Sequence, residues 1–228
     1  MFSLRLFAAL TAAAAAVCLA GCGSTSSGSG SGEKGTSAAE STSGSALSEL
    51  VVPSADSDEA NLGSYYLCDD GVKLYFNKDE FPEELALTFK KYFLSFGNND
   101  YDSYLSCLYP SYAEEMEKYL QKEYSYDLKT SFSKQRDILR SYVSDKDYTI
   151  TRLKLETPES SSIEGFFEYA NECFGRDYLG EVKAQCNALY EAFFYLIVQA
   201  DGEDHEDIII TECRIVFAEK DGKYYTFV

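Results

Sequence analysis

The sequence predicts an α+β domain in which helices come first along the chain and pack on an antiparallel sheet. Three observations predict this order. Apolar residues recur at helical spacing between residues 80 and 143, strand-like runs rich in aromatic and β-branched residues fill residues 183–228, and a Ser- and Gly-rich segment precedes both. Residues 61–228 have the length of one domain, and their helices and strands do not alternate as in a parallel βαβ fold.

The domain is expected to open with a β-hairpin over residues 65–76. Asp70 and Gly71 supply the positive φ angles that its tight turn needs. The first helix follows, with Asp79 as its N-cap and Pro82 at its first position. Its apolar residues fall on one face: Leu85, Phe89, Tyr92, Phe93 and Phe96.

Three further helices are predicted before residue 145. Asp100 or Asp102 is expected to cap a short second helix, which Pro110 ends. Residues 111–114, with Ser first and Glu last, have the spacing of a capping box for a third helix. The pattern of residues 131–143 predicts the fourth.

The period of the apolar pattern changes after residue 147. Residues 148–157 favour a strand, and residues 161–174 favour a helix with a Phe-rich face. The most apolar run of the domain then ends at Ala200, and we expect it to form a long strand from about residue 183. After an acidic turn at residues 201–207, a second long strand and a short final strand complete a meander.

The long strand that ends at Ala200 is apolar on both faces. Ala192, Phe194, Leu196 and Val198 share one face, and Phe193, Tyr195 and Ile197 share the other. A sheet with helices on one side needs only one apolar face. The second face therefore predicts a cover, which is either the 65–76 hairpin or a second copy of the chain in a homodimer.

Three segments resemble the nuclear transport factor 2-like family, also called SnoaL-like. They are the break Asn98–Asp102 after the opening helix, the YLSCLYP segment at 104–110, and the DGKYY pattern at 221–225. The resemblance implies a single-domain, cystatin-like cone, in which a strongly curved antiparallel sheet wraps around the helices and leaves a pocket. The 65–76 hairpin and the insert at 111–143 depart from the minimal cone.

The N-terminus predicts export and lipid attachment. A single positive charge, Arg5, precedes an alanine-rich apolar run that is too short and too weakly apolar to remain in a bilayer. Leu19-Ala20-Gly21-Cys22 resembles the lipobox of bacterial lipoproteins. The resemblance implies that residues 1–21 are removed as a signal peptide and that the Cys22 thiol carries a diacylglyceryl group. The alternative is an ordinary secretory signal ending near Ala20.

Residues 22–60 are predicted to be a disordered linker, because Ser, Gly, Ala and Thr dominate them and no apolar periodicity appears. The net charge of the chain is −18 at pH 7, and no cluster of Lys and Arg offers a nucleic-acid surface. We therefore expect a domain that is tethered by lipid to the extracytoplasmic side of the cell membrane and that does not bind nucleic acid.

Five cysteines lie in the domain: Cys68, Cys107, Cys173, Cys186 and Cys213. An odd number leaves at least one thiol unpaired within the chain, so buried thiols are expected, with one disulfide as the alternative. If the long strands pair about residue 204, Cys213 lies opposite Tyr195 and Cys186 lies opposite a position beyond 220. That register excludes a disulfide between Cys186 and Cys213.

No motif for catalysis, metal binding or a cofactor stands out. The acidic turn at 201–207 is interpreted as solvated, with an ion site as the alternative, and His205 has no second His or Cys partner in the sequence nearby. Glu191, Glu212 and Asp177 lie in or beside apolar segments and are the candidates for a desolvated acid.

The predicted function is a non-catalytic module that binds a small apolar ligand or an envelope protein. The alternative is an isomerase, dehydratase or hydrolase, since the resembled family includes cone-fold enzymes. A two-lobed solute-binding protein is disfavoured, because such proteins are built from βαβ units.

Overall fold

The structure is a computed structural model, and it describes residues 47–227. The predicted signal peptide, Cys22 and most of the predicted linker lie outside the described residues. The elements run in this order: β1 (Leu47–Val51), a 3₁₀ helix (Asp58–Asn61), β2 (Tyr65–Cys68), β3 (Lys73–Tyr75), α1 (Glu83–Gly97), α2 (Tyr101–Cys107), α3 (Pro110–Tyr124), α4 (Leu128–Ser141), β4 (Tyr148–Glu156), α5 (Ile163–Phe174), α6 (Tyr178–Gln185), β5 (Ala188–Ala200), β6 (Asp207–Lys220) and β7 (Lys223–Thr226).

The predicted α+β class is confirmed. Seven strands form a single sheet whose spatial order follows the chain from β1 to β7. Neighbouring strands are antiparallel except at one junction, where β3 and β4 run parallel and Lys73 lies opposite Arg152. A parallel pair needs a long crossover, and the four helices α1–α4 provide it.

The folded part of the chain begins earlier than predicted. β1 and the first three residues of the 3₁₀ helix lie within residues 22–60, which the sequence assigned to a disordered linker. β1 pairs with β2, and Leu47 packs in the hydrophobic core. Short apolar strands at a sheet edge carry too little periodic signal to be distinguished from the polar segment before them. We call residues 47–64 the N-terminal arm.

The first two helices lie where they were predicted, but the start of α1 differs. Pro82 occupies its N-cap position and Asp79 lies in the preceding turn, so the predicted Asp79 cap is wrong. Asp100 caps α2 as predicted, because its side chain accepts a hydrogen bond of 3.0 Å from the backbone N–H of Ser103.

The starts of α3 and α4 differ from the prediction. Pro110 is in the first turn of α3, and the Ser111 hydroxyl bonds to the Tyr178 hydroxyl at 2.9 Å, so the predicted capping box is wrong. α4 begins at Leu128 because the Asp127 side chain accepts a 2.7 Å hydrogen bond from the backbone N–H of Thr130.

α6 was not predicted. The long strand was predicted to begin at about residue 183, but residues 178–185 are helical and β5 begins only at Ala188. Asp177, one of the candidate acids, caps α6 by accepting a 2.9 Å hydrogen bond from the backbone N–H of Gly180.

Aromatic rings fill the space between the helices and the sheet. On α1, Phe93 packs against Phe194 of β5 with ring centroids 4.9 Å apart, and Phe96 stacks on Phe132 of α4 at 5.1 Å. Phe217 of β6 also contacts the α1 rings. These rings are almost fully buried, so this layer is a packed core.

The register of the two long strands agrees with the prediction to within one residue. Cys213 lies opposite Phe194, and bulges near Leu196 account for the shift from Tyr195. Cys186 precedes β5, which begins at Ala188. Its side chain is a free thiol, as are those of Cys68, Cys107 and Cys173. Cys186 and Cys213 therefore do not face each other across the two strands, which agrees with the predicted register.

The outer face of β5 is covered, but not by the hairpin. β2 and β3 join the sheet edge to edge beside β4 instead of lying across β5, so that alternative is wrong. The Arg214 guanidinium lies 4.8 Å from the Phe193 ring centroid, and the Lys154 ammonium lies 5.3 Å from that of Tyr195. The long stems of these side chains shield the rings from water. The homodimer stays a prediction.

None of the helices within residues 47–227 is long and apolar enough to span a membrane.

Candidate functional site

A cleft of about 810 Å³ opens at the end of the sheet where β2 begins and where β3 and β4 end. The N-terminal arm forms one wall, with Leu50, Leu62 and Ser64. The opposite wall comes from the turn after β3 and from the last residues of β4. A volume of this size is in the range of small-molecule sites.

The floor of the cleft is apolar. Tyr66, Tyr75, Phe76 and Leu155 line it, and each of these side chains is buried. Tyr75 and Phe76 project to opposite faces of the sheet where β3 ends, so the floor takes side chains from both faces at the end of the sheet. Tyr66 packs against Phe76 with ring centroids 5.1 Å apart, so the two rings form a continuous apolar surface.

The rim of the cleft is polar, and its cations are paired. Lys154 Nζ lies 2.6 Å from Glu156 Oε1, and Lys78 Nζ lies 2.8 Å from Glu83 Oε2. Burial favours the neutral form of Glu156, but hydrogen bonds with Lys154 and Tyr195 outweigh burial and lower its pKa. Glu156 therefore stays ionised at neutral pH and forms a fixed part of the rim.

Glu80 joins the two sides of the rim. Its carboxylate accepts a 3.0 Å hydrogen bond from Asn77 Nδ2 and a 2.5 Å hydrogen bond from Thr157 Oγ1. The turn after β3 is thereby tied to the end of β4.

A polar cluster on the outer face of the sheet holds the arm in place. Glu59 of the 3₁₀ helix forms an ion pair with Lys73 of β3, and it lies 3.8 Å from Arg152 Nη2. Arg152 Nη2 also lies 2.6 Å from Glu206 Oε2. The register that places Lys73 opposite Arg152 brings both cations to one side of the sheet.

The Tyr75 hydroxyl and the Nε–H of Arg152 are buried beside this cluster. Burial raises the pKa of Tyr75 to about 12, while the charge of the Arg152 guanidinium and its hydrogen bonding with the Tyr75 hydroxyl partly oppose the rise. The two side chains are therefore neighbours that interact with each other.

The three candidate acids are not brought together. The carboxylate of Glu191 accepts hydrogen bonds from Ser162 and forms an ion pair with Arg214, so it anchors the start of α5 to the sheet. Glu212 has a positive φ of 53° in β6 and lies beside Tyr195. Asp177 is the cap of α6.

The acidic turn at 201–207 is exposed at most of its positions. His205 Nδ1 lies 3.6 Å from Asp204 Oδ1, and Glu203 forms an ion pair with Lys146, which lies in the loop between α4 and β4. In residues 47–227 no three His, Cys, Asp or Glu side chains are placed to hold a metal ion together. The ion-site alternative has no support in this part of the chain.

The residues that form the cleft were not predicted. Tyr75 and Lys154 line it, and they come from two strands that are far apart in sequence and pair in parallel, with Arg152 beside them on the same face. The alternation in KLY at 73–75 and RLKLE at 152–156 places their polar side chains on one face. That signal is usable only once the two strands are known to be neighbours.

Comparisons with protein-family models, with curated proteins and with solved structures find no significant match to this chain.

Proposed function

We propose that the protein is a lipid-anchored, extracytoplasmic binding module, and that the cleft beside the N-terminal arm is its ligand site. The Leu19-Ala20-Gly21-Cys22 motif supports the anchor, with lipid on the Cys22 thiol. The observation that carries the binding function is the cleft itself, which combines an apolar floor with a rim of paired charges.

The proposed fold is the curved cone of the nuclear transport factor 2-like family, with additions at its N-terminus. The pocket that such a cone would hold lies between helices and sheet, where Phe89, Phe93 and Phe194 are less than 2% exposed. Since these rings leave little room, we assign the ligand to the cleft at the end of the sheet.

We rank binding ahead of catalysis because the carboxylates at the cleft rim, and the buried carboxylate on β5, already have hydrogen-bond or ion-pair partners in the protein. Glu80 and Glu156 at the rim are each held by two hydrogen-bonding partners, and the buried Glu191 is paired with Arg214. A general acid or base must be able to exchange a proton with a substrate. These carboxylates are fixed by their partners instead.

Two measurements test the proposal. For the anchor, mass spectrometry of the N-terminal peptide of membrane-fractionated protein is expected to find a diacylglyceryl group on Cys22, and Cys22→Ser is expected to release the protein into the medium. Wild-type protein in the medium with an unmodified Cys22 would falsify the anchor.

For the cleft, native mass spectrometry of the purified protein is expected to detect a retained small molecule. Leu62→Arg places a charge in the cleft wall and is expected to abolish retention. Leu105→Arg is the control, because Leu105 lies on α2 outside the cleft and is 39% exposed. Equal retention in both variants would show that the ligand binds elsewhere.

A further inference from the structure

We propose that the cleft binds an amphipathic organic cation, whose apolar body lies on the cleft floor and whose ammonium group lies beside the carboxylates of Asp79 and Glu80. This inference rests on the proposed binding function and specifies its ligand class. It is carried by two carboxylates of the cleft wall that lack a counter-charge and by the aromatic floor next to them.

The residues that line the cleft carry more negative than positive charge. The charged ones are Lys78, Lys154, Asp79, Glu80 and Glu156. Glu156 pairs with Lys154. Lys78 pairs with Glu83, which does not line the cleft. Within residues 47–227, neither Asp79 nor Glu80 forms an ion pair with a Lys or Arg side chain. Both carboxylates of this wall are therefore available to a cation from outside the protein.

The turn after β3 orders the segment that carries these two carboxylates. The Asn77 side-chain oxygen accepts a 3.0 Å hydrogen bond from the backbone N–H of Asp79, and Asn77 Nδ2 donates a 3.0 Å hydrogen bond to Glu80 Oε1. The Thr157 hydroxyl donates a 2.5 Å hydrogen bond to Glu80 Oε2. Since both donors to Glu80 are neutral, they orient its carboxylate without neutralising the charge, and each oxygen keeps a second lone pair.

The floor suits the apolar part of such a ligand. Tyr66, Phe76 and Leu155 belong to it, and Leu50 of the arm, which is 49% exposed, also lines the cleft. An aromatic ring attracts a cation over its face, and the Lys78 ammonium already lies 4.4 Å from the Tyr66 ring centroid. Contact with an apolar chain would remove the exposed surface of Leu50 from water.

The charge balance also ranks the other classes of ligand. An anion would meet two carboxylates without a counter-charge, and both lysines of the lining are already paired. The net charge of −18 repels an anion and attracts a cation at longer range. A neutral amphiphile gains the contact with the floor but nothing from the charges of Asp79 and Glu80.

Three probes of equal chain length test the ligand class. The purified protein is titrated with decyltrimethylammonium, with 1-monodecanoylglycerol and with decanoate, each below its micelle concentration, and binding is followed by calorimetry. We expect the cation to bind at least about fivefold more tightly than the neutral ester and at least about tenfold more tightly than decanoate. Added salt should weaken binding of the cation but not of the ester.

Two variants test the role of the carboxylates. Asp79→Asn and Glu80→Gln each remove one charge and keep the size of the side chain. Each is expected to weaken cation binding by about two- to fivefold, and the double variant by about tenfold. Binding of the neutral ester should stay unchanged, whereas a distorted cleft would weaken both probes.

The matched control is Asp204→Asn. This variant removes one negative charge from the acidic turn at 201–207, which lies outside the cleft, and should leave cation binding unchanged. If Asp204→Asn weakens cation binding as much as the two cleft variants do, the cation responds to the overall charge of the chain, and the ligand class is wrong.

Leu62→Arg separates this inference from the proposed function. Equal affinity for the three probes, or unchanged cation affinity in the double variant, overturns the ligand class. If Leu62→Arg then still abolishes binding, the cleft stands as the binding site. Probe binding that Leu62→Arg leaves intact takes place elsewhere and overturns both proposals. If none of the probes binds, the ligand class is wrong, and native mass spectrometry decides whether the cleft holds another ligand.

Discussion

Replacement of Arg214 by Leu should destabilise the protein strongly, although Arg214 is on the outer face of the sheet. Its partner Glu191 has a side chain that is only 4% exposed, while the Arg214 side chain is 18% exposed. Removing the cation leaves a buried carboxylate with Ser162 as its remaining hydrogen-bond partner.

The expected loss can be worked out from these contacts. Breaking a buried ion pair from one side costs about 3–5 kcal/mol, and the lost cover over Phe193 adds about 0.5–1 kcal/mol. The two hydrogen bonds from Ser162 still stabilise the carboxylate and offset part of this. We therefore expect the free energy of unfolding to fall by about 3 kcal/mol.

Urea unfolding followed by far-ultraviolet circular dichroism measures this loss. The double variant Glu191→Leu/Arg214→Leu should be more stable than Arg214→Leu alone, because it no longer buries an unpaired charge. The control is Lys122→Leu, which removes a surface ion pair whose Lys side chain is 81% exposed and should leave the free energy of unfolding close to that of the wild type, because water screens such a pair. If Arg214→Leu and Lys122→Leu lose the same amount, the pair is screened by water and the argument is wrong.

Two further predictions concern groups with raised pKa values. Burial raises the pKa of Tyr148 to about 12, against 10.0 for an unperturbed tyrosine. As the pH rises, the unfolded chain therefore loses the Tyr148 proton before the folded protein does. The free energy of unfolding should fall by about 2–3 kcal/mol between pH 9 and pH 12 because of this group. Urea midpoints that stay constant across that range would contradict it. Burial also raises the pKa of Cys107 to about 11, so a thiol reagent at pH 8 should modify the half-buried Cys173 first and Cys107 only after unfolding. Mass spectrometry of the labelled peptides gives the order of labelling. Faster labelling of Cys107 than of Cys173 would refute this prediction.

Local signals in the sequence predicted most of the elements. The helical spacing of α1, the Asp100 cap of α2 and the meander of long strands each depend on neighbours within a few residues, and all three are present. α6 was missed because its eight residues lie directly before a long apolar strand. A short helix with few apolar positions gives little periodic signal of its own.

The position of the cleft could not be predicted in the same way. It depends on the parallel pairing of β3 with β4 and on the addition of β1 to the sheet edge. Both are contacts between segments that are far apart along the chain, and pattern analysis of a single sequence does not report such contacts. The acids that burial patterns did single out, Glu191 and Asp177, have structural roles instead.

The parallel junction between β3 and β4 also has a consequence for the order of folding. β3 comes early in the chain, and four helices separate it from its partner strand β4. Closing so long a loop is slow, and the loss of chain entropy precedes the gain from pairing. The helices and the β4–β7 meander can therefore assemble first, and the N-terminal strands dock last. Among residues 47–227, we therefore expect the wall that the arm contributes to the cleft to form last.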